Sequence, residues 1–163
     1  LAACGHRRIA FIRWPTRSLA GSYRAQGYRE ALSCLGLPSD ERWLVEAENT
    51  PSHGYRAAQA LMACSAGKRP TAIACVSDVI AIGVLKYLHE QGIAVGRDVA
   101  VTGFDDIPAA EHLTPPLTSV HQPLETIGQR LMEMLLEILH EPATETQQVL
   151  IKPCLVVRAS SGG

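Results

Sequence analysis

Charge is scarce in this sequence of 163 residues. Asp, Glu, Lys and Arg make up 19% of it, against roughly 25% in an average soluble domain. Fifteen basic residues nearly balance sixteen acidic ones, giving a net charge of −1 with the six histidines neutral. That balance excludes a strong electrostatic grip of the chain itself on DNA or on an acidic membrane. No run of about eighteen apolar residues occurs, so no segment reads as a bilayer-spanning helix. The opening LAACGHRRIAFIRW has neither the charged start nor the longer apolar run of a signal peptide. It starts on Leu1 rather than Met, so the gene product need not begin here. GxGxxG, P-loop, GxSxG and HExxH patterns are also absent, and with them the commonest nucleotide, hydrolase and zinc-protease signatures. Apolar residues, by contrast, reach 47%. This is too many for disorder and enough to bury one domain-sized core.

Cysteine is present without a pattern. Cys4, Cys34, Cys64, Cys75 and Cys154 are odd in number and lack CxxC or zinc-like spacing. All but Cys4 sit in apolar company, as small hydrophobes do, and a reducing, cytoplasmic environment is the expectation. The histidines are scattered without metal-ligand spacing. No metal, cofactor or catalytic residue is predicted.

Short apolar runs alternate with helical patterns. Residues 8–13 (RIAFIR) suit a buried strand. Residues 22–35 suit a helix with Tyr23, Tyr28, Ala31, Leu32 and Leu35 on one face, stopped by Gly36-Leu37-Pro38. Residues 42–46 read as a second strand, and Pro51 opens a helix to residue 66. Residues 71–76 (TAIACV) form a third strand, apolar throughout as in a sheet covered on both faces. Ser77 has N-cap chemistry, and Asp78 begins a helix that runs to residue 91. Residues 99–104 (VAVTGF) make a fourth strand ending at Asp105-Asp106. This rhythm predicts an α/β fold, a parallel sheet with helices on both faces. The stretch 107–123 contains four prolines and reads as neither regular helix nor good strand material. An amphipathic helix follows over residues 124–139, with Leu124, Ile127, Leu131, Met134 and Ile138 in a narrow stripe that needs a packing partner. Pro142 helps end it, and residues 148–152 and 155–158 read as short strands.

Open parallel sheets bind ligands beyond the carboxyl ends of their strands. Those ends carry Arg13/Trp14, Glu46/Asn49, Ser77/Asp78 and Asp105/Asp106, with Arg24 in the first turns of the helix after the first strand. Arg supplies a forked donor and Asp an acceptor for hydroxyl groups. The plain alternatives are a solvated Arg24, a turn-stabilising Asp105 and a helix-starting Asp78. A third possibility is Mg²⁺ held by Asp105 and Asp106, as in some hydrolases.

GHRRIAFI, YRAQGYREAL, RPTAIACVSDVIAIGVLKYLHEQG, DVAVTGFDDIPAAEHLTPPLTSVHQP and LVVRASSG, in this order and spacing, resemble the LacI/GalR family of bacterial transcription regulators. The resemblance implies an effector-binding core of two Rossmann-like subdomains, preceded in the family by a helix-turn-helix. Residues 1–120 correspond to the carboxyl-side subdomain. Residues 121–153 correspond to the crossover and a helix of an incomplete amino-side subdomain, and 154–163 to the return strand. Arg24 matches the family's effector-contacting arginine, Asp105 its hydroxyl acceptor, Gln122 a hinge contact, and Ser77 a position some members fill with a ligand-binding Asn. Ser18 and Ala20 fall in a loop that touches ligand in some members. Asn49 stands where several members carry an aromatic platform, and Trp14, where Gly is common, supplies stacking instead. The implied effector is a sugar or related polyol. The family dimerises through positions matched by Ile82 and Leu113.

The resemblance thus implies an effector-sensing, dimerising module of a LacI-type regulator, with operator DNA contacted only by a helix-turn-helix outside these residues. A periplasmic-type solute-binding protein of the same fold is the alternative. The 124–139 stripe is expected to be covered by self-association or by folding back onto the chain.

Overall fold

The computed structural model describes residues 1–140 and 147–162. The four apolar runs form parallel strands β1 (Ile9–Arg13), β2 (Leu44–Glu46), β3 (Ala72–Cys75) and β4 (Ala100–Asp105). Helices α1 (Leu19–Cys34), α2 (Pro51–Met62) and α3 (Asp78–Glu90) connect them. A fifth parallel strand, β5 (Thr118–His121), lies beside β4, and β6 (Cys154–Val156) runs antiparallel at the edge. The sheet order is β2-β1-β3-β4-β5-β6. The predicted α/β class holds.

Alternation along the strands divides the core. Ala10, Ile12, Ile73 and Val101 are buried in the larger cluster with Ala57, Ala58 and Leu61 of α2 and Ile80, Val84 and Leu88 of α3. The two helices approach closely because Gly54 and Gly83 bring no side chain to the crossing. A Cβ on Gly54 would overlap the Ile80 carbonyl, and one on Gly83 the Pro51 carbonyl. Ile9, Ala72 and Ala100 form a smaller cluster beside Tyr28 and Leu37. On that side α1 covers the sheet incompletely. A cavity of about 410 Å³ opens there, walled by Phe11, Tyr28, Leu32, Ala74, Thr102 and Phe104.

Several boundaries differ from expectation for local reasons. α1 starts three residues earlier, because Ser18 takes the N-cap and its hydroxyl accepts the Gly21 N–H at 3.2 Å. Its buried face is Gly21, Ala25 and Leu32, whereas Tyr23 and Leu35 are exposed. α2 ends at Met62, and a short 3₁₀ turn follows at Ala66–Lys68. Another precedes β2 at Glu41–Trp43, burying Trp43. Within the proline-rich stretch, Pro115, Pro116 and Pro123 flank β5 rather than interrupt it, so its amides remain free to pair. Residues 148–152 form no strand, and only Cys154–Val156 pairs with β5. Of the cysteines, only Cys75 is buried; Cys34 and Cys154 are exposed and Cys64 is half-buried. Apolar neighbours in sequence did not bury those three.

The amphipathic helix α4 (Leu124–His140) forms as expected, but none of its residues is buried. Leu124 and Leu131 remain 65% and 62% exposed. Val149 and Ile151 line a shallow groove with Ile127, Leu131 and Met134. Among the described residues, folding back therefore covers the stripe only in part, at Ile127 and Met134, and leaves Leu124 and Leu131 open. Pro142, read as a helix stop, lies outside the described residues.

Candidate functional site

The carboxyl ends of the parallel strands form one rim, where the sheet twist and the helix starts bring polar side chains together. Arg24, one turn into α1, donates from Nη1 to the Val76 carbonyl at the end of β3, at 2.7 Å. Its guanidinium lies over the Phe104 ring at 3.7 Å from the centroid, and over Trp14 at 5.0 Å. Arg24 Nη2 is 3.7 Å from Asp105 Oδ1. The same oxygen accepts Gln122 Nε2 at 2.7 Å. Arg24, Asp105, Gln122 and Trp14 are thus gathered at the ends of β1, β4 and β5.

Ser77 and Asn49 form a second pair on the rim. The buried Ser77 hydroxyl donates to Asn49 Oδ1 at 2.6 Å and accepts the Ile80 N–H at 3.4 Å, capping α3. Asn49 itself is exposed, and this bond leaves its amide NH₂ group available. Ser18 has capping work, and Ala20 lies inside α1. Arg13 and Glu46 neutralise one another as register partners on β1 and β2, 3.0 Å apart.

Burial dominates the electrostatics. It pushes the Arg24 guanidinium below its usual value, with Asp105 opposing. It also pushes the Asp105 carboxyl up, opposed by Arg24 and Gln122 and reinforced by the charge of Asp78. Neither partner fully repays the other for lost water at this separation. A ligand offering hydroxyl donors and acceptors would complete both. Trp14 Nε1 is buried with no hydrogen-bond partner among the described residues, a further donor beside Arg24.

The backbone at the end of β4 is unusual. Asp105 and Asp106 have φ of 112° and 54°, conformations that cost non-glycine residues about 1–3 kcal/mol each. Asp106 is committed to structure: Arg158 Nη1 meets its Oδ1 at 2.7 Å and His121 Nδ1 its Oδ2 at 3.1 Å. A divalent cation on Asp105 and Asp106 would have to displace Arg24 from one carboxylate and Arg158 from the other. Among the described residues no group of three or more His, Cys, Asp or Glu is placed to hold a metal ion. The Mg²⁺-hydrolase alternative therefore has no support in this geometry.

Ile82 lies in a groove between α2 and α3, with Pro51, Tyr55 and Lys86 around it. Leu113 is half-buried against the larger core cluster. Two participants escaped sequence reasoning. Phe104 could have been found as the aromatic residue directly before Asp105 at a parallel strand's carboxyl end. The Val76 carbonyl carries no side-chain signal at all.

Comparison with known proteins fits this architecture. Residues 1–161 match the model of the periplasmic binding protein-like domain. The HTH-type transcriptional repressor PurR of Erwinia tasmaniensis is 37% identical over 156 residues, 96% of this chain and 45% of the repressor. The chain therefore spans about half the length of the curated relatives it matches. A regulatory protein of the LacI family from Chloroflexus aggregans superposes with a TM-score of 0.92 at 38% identity, covering 99% of this chain and 57% of that one. A complex of the transcriptional regulator CelR with cellobiose gives 0.90 at 36% identity, covering 98% and 48%. The lac repressor dimer bound to operator and the anti-inducer ONPF gives 0.89 at 27%, covering 98% and 47%. The chain belongs to the periplasmic binding protein-like domain family, among the effector-binding cores of LacI/GalR-type regulators.

Proposed function

We propose that this chain is the effector-sensing and dimerising part of a cytoplasmic LacI-type transcriptional regulator, and that its effector is a sugar or related polyol. The observation that carries the reading is the Arg24–Asp105–Gln122 cluster, stacked on Phe104 and Trp14 at the sheet's carboxyl rim. A forked cation, a carboxylate and an amide beside an aromatic face suit the alternating hydroxyls and apolar face of a pyranose ring. Ser77 and Asn49 extend the polar rim. Residues 1–120 would form one subdomain, 121–153 the crossover and part of a second, and 154–163 the return. Effector held between the subdomains would favour one closure state. A helix-turn-helix elsewhere in the whole protein would read that state out on operator DNA. Ile82 and Leu113 are the proposed dimer contacts.

Calorimetry on the intact gene product, with a panel of mono- and disaccharides that includes cellobiose and with nucleosides as contrast, tests the site. Arg24→Ala and Asp105→Ala should each weaken binding of the compound that gives heat by roughly 10- to 100-fold, the worth of a charge-assisted hydrogen bond. Unchanged affinity in both variants would remove these residues from the site.

A further inference from the structure

Two consecutive residues at positive φ, neither of them glycine, must be held by something outside the turn. Asp78 is placed to do this. It is the first residue of α3 and wholly buried. Its Oδ2 accepts the Ile107 N–H at 2.9 Å, and its Oδ1 accepts the Ser119 hydroxyl at 2.6 Å. Ser119 Oγ in turn accepts the Asp106 N–H at 3.1 Å. One carboxylate and one hydroxyl therefore secure the two amides that directly follow Asp105.

An aspartate that merely begins a helix needs no burial and faces its own helix's first amides. Asp78 instead turns both oxygens away from α3, toward β5 and the turn after β4, and Ser77 supplies the cap. The sheet is shaped to admit it. Gly103 lies two residues before Asp105, and a Cβ there would overlap Asp78 Oδ1. Burial pushes the Asp78 carboxyl up, while the Ser119 and Ile107 bonds pull it back, as expected of an acceptor whose partners replace water.

We propose that Asp78 and Ser119 are positioning residues, a buried lock that sets the backbone of residues 105–107 and so presents the Asp105 carboxylate to Arg24 and Gln122. Its functional meaning rests on the reading of that cluster as the effector site. The lock itself is a property of the free chain, so its test needs no effector and fails or succeeds separately from the calorimetric panel. Without the Ser119 hydroxyl the Asp106 amide loses its 3.1 Å acceptor and keeps only the adjacent Asp78 carboxylate, the turn relaxes, and the Asp105 carboxylate leaves Gln122.

The test is NMR on the ligand-free chain, comparing wild type with Ser119→Ala, Ser119→Cys and Asp78→Asn. In Ser119→Ala, amide exchange at Asp106 should rise about tenfold, the loss of one net hydrogen bond. The Gln122 side-chain NH₂ resonances should move to their free-amide positions, with the amides of β1 and β3 unshifted. Ser119→Cys retains a weak donor and acceptor and should restore part of both signals. Asp78→Asn should reproduce the Gln122 shift and add faster exchange at Ile107. A fall in melting temperature with the Gln122 resonances unmoved in Ser119→Ala and Asp78→Asn would make the pair purely structural and overturn the proposal.

Discussion

Arg24 and Asp105 stand 3.7 Å apart, yet burial moves each of them toward its neutral form. This sets the sign of a pH effect. An unfolded Asp titrates near 3.9, and the folded Asp105 takes up its proton at higher pH. Its contribution to stability is therefore whole below about pH 4 and fades as pH rises through the raised folded value. Asp105→Asn has no such titration. Urea midpoints should show wild-type stability, relative to this variant, greatest near pH 4 and declining toward neutrality. A gap that moves the other way would mean that the Arg24 pairing outweighs desolvation. Arg24 also depends on its planar group for stacking on Phe104 and Trp14, a contact a lysine cannot copy.

At the scale of elements, the α2–α3 crossing is set by two glycines whose missing side chains let backbone meet backbone. Gly83→Ala would drive a methyl into the Pro51 carbonyl and the Tyr55 amide, forcing the helices apart. Overpacking of this kind costs about 1–3 kcal/mol, and the denaturant midpoint should fall by that energy divided by an unchanged m-value. An unchanged midpoint would show that the crossing has slack. The return strand is pinned differently. Thr118 Oγ1 accepts the Arg158 N–H at 2.7 Å and also bonds Ser161 Oγ at 2.7 Å. Ser160 Oγ donates to the Val101 carbonyl at 2.7 Å. These hydroxyls anchor the end of the chain to β4 and β5 although β6 itself spans three residues.

For the whole molecule, the dominant feature is imbalance. One sheet face is sealed by α2 and α3, the other only partly by α1, and the described residues leave most of the apolar stripe of α4 uncovered. An exposed apolar surface of this kind marks a contact site. In isolation the chain should sediment above its monomer mass of 17.6 kDa, and Leu131→Lys with Leu135→Lys should return it to monomer. Because Leu131 and Leu135 are 62% and 50% exposed, each change alone should alter the unfolding free energy of the monomer, measured at concentrations too low for association, by no more than about 0.5 kcal/mol. A monomeric wild-type chain would refute self-association through this face.

The residues alone determined the α/β alternation, because strand and helix periods and the glycine and proline stops are local properties. They also placed Arg24 and Asp105 on one rim, since a parallel sheet with right-handed crossovers brings its strand ends together. Ser77, Asn49 and Trp14 were legible for the same reason. Gln122 was legible only through the family resemblance, because the proline-rich stretch around it read as poor strand material. Tertiary structure decided what distance along the chain conceals. β5 exists because β4 and β6 offer it partners on both sides, despite the prolines around it. Phe104 joins the site because Arg24, eighty residues away in the chain, folds across its ring. Asp78 looked like a helix start. Only packing against Gly103, Ser119 and Ile107 turned its carboxylate inward, because a buried charge takes its partners from whatever backbone and hydroxyl groups surround it.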